Sequence, residues 1–363
     1  MNYSQNTQPS GYGGKKNNNG FFKVLGKVLA IVLETVLMIA VALLGVMYVF
    51  CKGPSPEARK LFVMSVRETS AIGFLANIYL SDEEIAEIES GKDADEYVET
   101  DTTLINIPAP QEISSGETAK NDYGLVDEDG DGLILEEING QGYRGFMMVV
   151  LDPSRVVMGC VPSSFGYRGY TVAEMVDYYD AVVGINAGGF LDPNGQGNGS
   201  EPDTLVVSNG EIYYSQFGTG AGFVGFDDKY ILHTGKMSIQ QIKDANIQYG
   251  VCFGPTLVSN GEANDPDVLA SGLNPRTAIG QREDGAVLLL VIDGRQVNSA
   301  GATYQDLADI MLRYGAVNAC NLDGGSSTLM WYEGDYINNC ASVIGIRPVP
   351  STFLVLKEGK SNG

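Results

Sequence analysis

The stretch "NLDGGSSTLMWYEG", Asn321 to Gly334, places an asparagine, an aspartate, two glycines, two serines and a threonine between apolar runs. A buried strand that ends in Asp-Gly-Gly is typical of an ordinary hairpin turn. The other possibility is a catalytic loop. Because the chain contains one histidine, His233, such a loop has to work without a histidine of its own.

The pattern of short β-rich runs separated by Gly, Asn or Pro turns extends from about residue 121 to residue 358. Two helical patterns interrupt it. One begins at Thr171 with Glu174 at the capping-box position, and the other runs from Thr303 to Gly315. Strands and helices in this irregular order predict an α+β fold, a mixed β-sheet domain with a few helices over residues 121–358.

A single transmembrane helix is predicted to precede that domain. The apolar run from Val28 to Phe50 is long enough to cross a bilayer, and residues 24–51 are interpreted as an uncleaved signal anchor. Residues 1–23 are predicted to form a disordered cytoplasmic tail. Residues 52–120 are predicted to be a helical and acidic juxtamembrane spacer.

The net charge of −22 and the pI near 4.3 disfavour nucleic acid as a partner, since its phosphates are repelled by an acidic protein. The same charge repels an anionic small substrate. Any phosphate site in this chain therefore needs arginine side chains close to the bound phosphate.

The five cysteines form no CxxC pair, so their spacing gives no support for a zinc site. The four that follow Cys51 are an even set, compatible with two disulfides in an oxidising compartment. Three pairings are possible, and Cys320 with Cys340, the nearest in sequence, is the candidate pair. This set favours an extracytoplasmic domain on a single-pass cell-membrane protein. Lysines flank both ends of the span, so a cytoplasmic domain is the alternative.

No metal and no cofactor are predicted. Asp127, Asp129 and Asp131 match the first positions of an EF-hand loop, but Ile138 stands where a bidentate acid is required, with Glu137 one residue early. The segment is better interpreted as a strand that leaves an acidic turn.

Four polar clusters follow apolar runs and place Asn186, Arg276, Asp293 and Asp323 at strand ends. One such turn is ordinary, whereas four together indicate one assembled site. Glycines beside these residues allow a ligand to approach the backbone closely. The guanidinium of Arg276 suits the forked recognition of a phosphate.

The motifs "GINAGGF", "NPRTAIG", "VIDGRQ" and "NLDGGSSTLMW", within Gly145 to Leu356, resemble the phosphodiester glycosidase family. The membrane span, acidic spacer and "DGLILEEI" strand before them resemble its bacterial membrane-anchored, exopolysaccharide-related branch. The resemblance implies an enzyme, a glycosidase that hydrolyses a sugar 1-phosphodiester of the N-acetylglucosamine-1-phosphodiester type. Its partners would be phosphodiester-linked sugars of an envelope polysaccharide or glycolipid.

With that chemistry, Arg276 is expected to hold the phosphate, and Asp323 and Asp293 form a carboxylate pair that includes the base or nucleophile. The expected substrate-binding residues are Asn186, Asn321, Gly324, Gly325, Ser326, Ser327 and Arg295. A disulfide between Cys320 and Cys340 would clamp the loop that carries Asp323.

Two alternatives remain open. One is a non-catalytic carbohydrate-binding or exopolysaccharide-assembly protein on the same fold, although such a module needs no paired acids. The other is a metal-dependent phosphodiesterase that cuts the P–O bond, which the scarcity of histidine disfavours.

Overall fold

The structure is a computed structural model that describes residues 19–69, 72–90, 98–108, 124–192, 197–215, 222–342 and 344–359. Most of the predicted disordered tail lies outside these residues. The chain divides into two compact units, Met1–Arg59 and Lys60–Gly363.

The first unit contains one long helix, α1 (Asn19–Lys52). Within it, Phe22–Lys52 is long and apolar enough, by length and composition, to cross a membrane. A membrane anchor and a signal sequence near the N-terminus both meet this criterion.

In the residues that the structure describes, five further α-helices follow in chain order: α2 (Pro56–Arg67), α3 (Asp82–Glu89), α4 (Val172–Tyr179), α5 (Ile239–Asp244) and α6 (Tyr304–Arg313). The capping box expected at Thr171 is present with Glu174 as its reciprocal partner. Helix α3 begins with a second one, formed by Ser81 and Glu84.

Nineteen strands complete the described part of the chain. They are β1 (Leu133–Gly140), β2 (Tyr143–Val150), β3 (Val156–Cys160), β4 (Ala181–Asn186), β5 (Phe190–Leu191), β6 (Glu201–Pro202), β7 (Leu205–Ser208), β8 (Glu211–Ser215), β9 (Phe223–Phe226), β10 (Leu232–Gly235), β11 (Tyr249–Cys252), β12 (Thr256–Ser259), β13 (Glu262–Ala263), β14 (Arg276–Arg282), β15 (Val287–Ile292), β16 (Ala316–Leu322), β17 (Met330–Tyr332), β18 (Asp335–Tyr336) and β19 (Ser351–Leu356).

The strands form antiparallel sheets, and with the helices they confirm the predicted α+β class. A seven-stranded sheet has the order β1-β2-β15-β14-β16-β12-β13. Two five-stranded sheets have the orders β10-β9-β11-β7-β8 and β18-β17-β4-β19-β3, and β5 pairs with β6. The "GLILEEI" segment is part of β1, as the sequence predicted.

Hydrophobic packing joins these layers. One cluster includes Ile279 and Leu322 of the large sheet together with Ile185 and Phe353 of a five-stranded sheet. A second cluster packs the apolar face of α6 against the opposite side of the large sheet, and Leu307, Ile310 and Met311 of that face are all buried. The large sheet is therefore covered on both sides, which explains why β14, β15 and β16 are buried at every position.

The strand register of the large sheet brings three of the predicted polar clusters, those of Arg276, Asp293 and Asp323, to the same ends of neighbouring strands. Strand β14 runs antiparallel to both neighbours, so Arg276 at its start pairs with Ile292 at the end of β15. Its next residue, Thr277, pairs with Leu322 at the end of β16. The loops that carry Asp293 and Asp323 therefore follow β15 and β16 at the same end of the sheet, next to the start of β14.

Candidate active site

Asn186 and Asp323 meet at this end of the large sheet. Strand β4 ends at Asn186, whose side-chain Nδ2 donates to the backbone carbonyl of Asp323 at 2.5 Å. Its Oδ1 accepts from the hydroxyl of Thr277 at 2.9 Å and from the backbone N–H of Leu329 at 3.1 Å. Asn186 is fully buried. It therefore fixes the loop after β16, and both polar atoms of its side chain bond to protein partners.

The carboxyl group of Asp323 is the most perturbed acid in the described site. Desolvation raises its pKa to about 6, against a lowering influence from a hydrogen bond with Ser327, from Arg347 and from the backbone of Gly324. The charge of Asp203 raises the pKa further. Asp323 as a residue is of intermediate exposure, so its desolvated carboxyl group lies close to the protein surface.

The positive charge of Arg347 lowers the pKa of Asp323, and the sequence analysis did not identify this residue. Its guanidinium pairs with the carboxylate of Asp192 and lies 5.1 Å from the centre of the Phe190 ring. Its Nε is buried and has no hydrogen-bond partner among the residues that the structure describes. A Cβ added to Gly197 would lie 2.5 Å from that Nε, so glycine is needed at this position, where φ is +65°.

Arg276, expected to hold the phosphate, is built into the protein interior. Its side chain is 6% exposed. Its Nε donates to the carbonyl of Ala302 at 3.1 Å, and Nη2 donates to the carbonyl of Gly272 and the carboxylate of Glu68, both at 2.7 Å. The guanidinium also stacks on the Tyr304 ring at 4.1 Å. These contacts occupy Nε and Nη2, the guanidinium nitrogens that the sequence analysis expected to bind the phosphate.

Arg295 lies beside the glycine pair of the loop. Its Nη2 donates to Thr69 Oγ1 and to Asn274 Oδ1, both at 2.9 Å. Its backbone adopts a left-handed φ of +58°, which is uncommon for a residue other than glycine. Desolvation lowers its pKa and Arg276 lowers it further, whereas Glu68 acts in the opposite direction.

Asp293 binds the segment that follows β17 and β18. Its Oδ1 accepts from Asn338 Nδ2 at 3.2 Å and from the backbone N–H of Asn339 at 2.9 Å, and its Oδ2 accepts from Asn339 Nδ2 at 3.1 Å. Asn338 Nδ2 also donates to the carbonyl of Thr328 at 3.1 Å. Asp293 is thus linked to the Asp323 loop through an asparagine.

The remaining predicted binding residues are mostly used within the protein. Asn321 is buried and donates to the carbonyl of Gly254 at 2.7 Å. The N–H of Gly325 donates to Pro275 and that of Ser327 to Gly324. Gly324 and Ser326 are partly exposed. Fewer groups of the loop are therefore available to bind a ligand than the sequence suggested.

The Cys320–Cys340 disulfide is not formed, which corrects that prediction. Cys320 belongs to the cluster between the two sheets, with Sγ near the carbonyl of Pro255 at 3.6 Å. Cys340 packs against a different cluster and approaches the carbonyl of Ser326. Nearness in sequence did not predict that the two thiols face separate parts of the core.

Two other groups of titratable residues lie away from this end of the sheet. The carboxylates of Asp127, Asp129 and Asp131 gather in the acidic turn before β1. His233 on β10 has its Nε2 3.0 Å from Asp227 Oδ2. Burial of Asp227 raises its pKa, but bonds from His233 and the backbone N–H groups of Ile231 and Lys229 outweigh it and leave the pKa lowered.

Comparison with known proteins places this geometry in context. Residues 179–356 match the family model described as phosphodiester glycosidase. An SPbeta prophage-derived uncharacterized protein, YomE, of Bacillus subtilis (strain 168) is 33% identical over 186 residues, which cover 48% of this chain and 28% of that protein. The human N-acetylglucosamine-1-phosphodiester alpha-N-acetylglucosaminidase is 27% identical over 219 residues, covering 55% of this chain and 42% of the enzyme. The chain thus spans less than half the length of these relatives.

One solved structure supports the fold. The zebrafish N-acetylglucosamine-1-phosphodiester alpha-N-acetylglucosaminidase catalytic domain, auto-inhibited by pro-peptide, superposes with a TM-score of 0.53 at 18% identity. The match covers 62% of this chain and 82% of that domain. At this identity the likeness concerns the fold alone.

Proposed function

Because this chain carries a domain of the phosphodiester glycosidase family over residues 179–356, we propose that it hydrolyses the glycosidic bond of a sugar 1-phosphodiester. The human relative is named for this reaction on N-acetylglucosamine. The main support for the proposal is Asp323, a residue of intermediate exposure whose carboxyl pKa is raised to about 6 by desolvation and is influenced by the charge of Arg347.

Asp323 suits the role of base or nucleophile. A sugar 1-phosphodiester already contains a good leaving group, so the protein's main tasks are to bind the phosphate, stabilise an oxocarbenium-like centre and direct water or a carboxylate to it. With a pKa of about 6, the Asp323 carboxyl is mostly ionised at pH 7 and remains a better proton acceptor than an ordinary aspartate.

Arg347 suits the role of phosphate ligand, in place of Arg276. Its charge acts on Asp323, and its side chain keeps 19% exposure, compared with 6% for Arg276. Phenylalanine stacking and the Asp192 carboxylate hold the guanidinium plane. A phosphate bound there would lie next to the carboxyl group that acts on the sugar.

The experiment is a panel of sugar 1-phosphodiesters incubated with the purified full chain in detergent. We expect a free reducing sugar from at least one of them, and loss of that product in Asp323→Asn. Asp335→Asn, an exposed aspartate on β18, is the matched control and should retain activity. A product that carries phosphate on the sugar would contradict the proposal, and no product from any compound would favour a binding protein.

We further propose that Phe22–Lys52 anchors the chain in the cell membrane with the family domain outside the cytoplasm. The length and composition of this helix support the anchor. Protease added to intact cells should remove the domain, whereas protection until the membrane is opened would place it in the cytoplasm.

A further inference from the structure

The turn after α2 contacts the candidate site through Glu68. Oε2 of this carboxylate accepts from Arg276 Nη2 at 2.7 Å and from Asn274 Nδ2 at 3.0 Å, and Oε1 accepts from the N–H of Gly272 at 3.3 Å. The side chains of Glu68 and Arg276 are only 14% and 6% exposed. This is a desolvated ion pair with additional neutral donors, the arrangement in which removing one charge has a large effect.

The fit of α2 against this region is close. The hydroxyl of Ser65 accepts from the N–H of Leu273 at 2.9 Å. A Cβ added to Gly272 would lie 2.1 Å from the backbone nitrogen of Ser65. Only glycine at position 272 therefore allows the helix to approach the backbone that leads into β14.

Glu68 acts on two arginines. Its neighbour Thr69 accepts from Arg295 Nη2 at 2.9 Å, and the same Nη2 donates to Asn274 Oδ1 at 2.9 Å. The two guanidinium groups repel each other, whereas the charge of Glu68 stabilises the protonated form of Arg295. The carboxylate is thus the counter-ion for a pair of arginines in a poorly hydrated place.

Those arginines and their neighbours support the loop that carries Asp323. The N–H of Gly325 donates to the carbonyl of Pro275 at 2.8 Å. A Cβ added to Gly324 would lie 2.8 Å from that same carbonyl, and one added to Gly325 would lie 3.4 Å from Arg295 Nη2. The glycine pair therefore rests directly on the segment that Glu68 holds.

We infer that Glu68 is a positioning residue for the candidate site, and that its carboxylate holds the Arg276 and Arg295 support on which the Asp323 loop rests. Nothing in the inference requires Glu68 to touch substrate. The catalytic part of the inference rests on the proposed function, whereas the structural part does not.

The catalytic test compares Glu68→Gln with Glu89→Gln in the full chain. Glu89 pairs with Arg67 in an exposed position on α3 and provides the matched control. For the sugar 1-phosphodiester that the wild type cleaves, we expect kcat of Glu68→Gln to fall about 10- to 100-fold with little change in KM, since misplacement of a reacting group by about 1 Å can cost about 100-fold. A kcat of Glu68→Gln equal to that of the wild type would overturn the inference. A higher kcat would also overturn it, and would indicate that the segment containing Glu68 inhibits the site.

Chemical rescue distinguishes positioning from a general loss of stability. Glu68→Ala removes the carboxylate and leaves the donors of Gly272, Asn274 and Arg276 in place. Added sodium formate should restore kcat in this variant in a saturable manner, while sodium chloride at equal ionic strength should not. Absence of rescue in a variant that unfolds at the wild-type temperature would contradict the inference.

Hydrogen exchange tests the structural part without any substrate. We expect faster amide exchange in peptides covering residues 323–328 in Glu68→Gln and unchanged exchange there in Glu89→Gln. Wild-type exchange in both variants would overturn the structural part, even if the protein cleaves sugar 1-phosphodiesters. Inactive wild-type protein with faster exchange in Glu68→Gln would count against the proposed function alone.

Discussion

The carboxyl group of Asp323 is ionised at neutral pH although its surroundings favour the protonated form. Its folded-state pKa of about 6 lies above the ordinary value of 3.8. A group whose pKa is raised on folding contributes stability below about pH 3.8, and that contribution is lost as the pH rises through about 6. At neutral and alkaline pH the ionised Asp323 therefore costs stability.

We predict that Asp323→Asn stabilises the protein at pH 8 while abolishing hydrolysis. The gain in the free energy of unfolding should be about 1–3 kcal/mol, because one pKa unit corresponds to about 1.4 kcal/mol. Urea unfolding at pH 8 and at pH 3.5 measures it, and the difference between variant and wild type should shrink at the lower pH. A variant that is less stable than wild type at pH 8 would refute this description of Asp323.

We predict that Arg347→Gln lowers kcat/KM about 100-fold, by analogy with the loss of other groups that stabilise developing charge. The acid limb of the pH–rate profile, expected near pH 6 from the pKa of Asp323, should also move to higher pH. The reason is that the Arg347 cation lowers that pKa, so its removal raises it. An acid limb that stays in place would show that Arg347 does not act on the ionising group.

At this scale the sequence led to Asp323 and Asn186 but not to Arg347. Each of the first two ends a buried strand with a glycine pair close behind, a pattern visible along the chain. Arg347 lies in an irregular segment before β19, and the residues that hold it, Phe190 and Asp192, are more than 150 positions away in sequence. No local pattern reports such a contact.

At the scale of elements, β14 shows that the position of a residue can be predicted from the sequence while the direction of its side chain is not. The antiparallel register brings the start of β14 to the ends of β15 and β16, as the polar clusters suggested. Successive side chains of a strand point to opposite faces. Thr277 points toward Asn186, whereas Arg276 packs on Tyr304 of α6. A fully buried strand gives no polar alternation that would reveal this.

Helix α6 was predicted well because its signals are local. Thr303 Oγ1 accepts from the backbone N–H of Asp306 at 3.1 Å, and Asp306 Oδ2 accepts from the backbone N–H of Thr303 at 2.8 Å. We predict that Thr303→Ala lowers the free energy of unfolding by about 1 kcal/mol, the usual cost of a lost N-cap. Urea unfolding measures this change. An unchanged unfolding midpoint would indicate that packing alone holds the start of the helix.

At the scale of the whole molecule, contacts cross the predicted domain boundary. The sequence predicts a boundary near residue 121, because the acidic composition from Asp82 to Asp101 is typical of a solvated spacer. That boundary stays a prediction, and the second compact unit, Lys60–Gly363, includes most of the predicted spacer. Composition predicts solvation of the acidic segment but does not reveal that the helix before it docks through Glu68.

We therefore predict that a fragment from residue 60 is more stable than one from residue 101, which lacks Glu68. The shorter fragment leaves Arg276 without its carboxylate partner, and breaking a buried ion pair typically costs about 3–5 kcal/mol. Thermal unfolding of the two fragments at equal concentration measures the difference. Equal unfolding temperatures would show that the contacts of α2 contribute little.

If Asp323 is the reacting carboxyl group of a glycosidase, the bond between the sugar carbon and the bridging oxygen is the one that breaks. The most direct test is cleavage of a sugar 1-phosphodiester in ¹⁸O-labelled water, followed by mass spectrometry of the released phosphomonoester. Cleavage between the sugar carbon and the bridging oxygen leaves the phosphate without label, and this is the result we predict for wild-type protein, with no product from Asp323→Asn. Incorporation of ¹⁸O into the phosphate would show attack at phosphorus and contradict the claim.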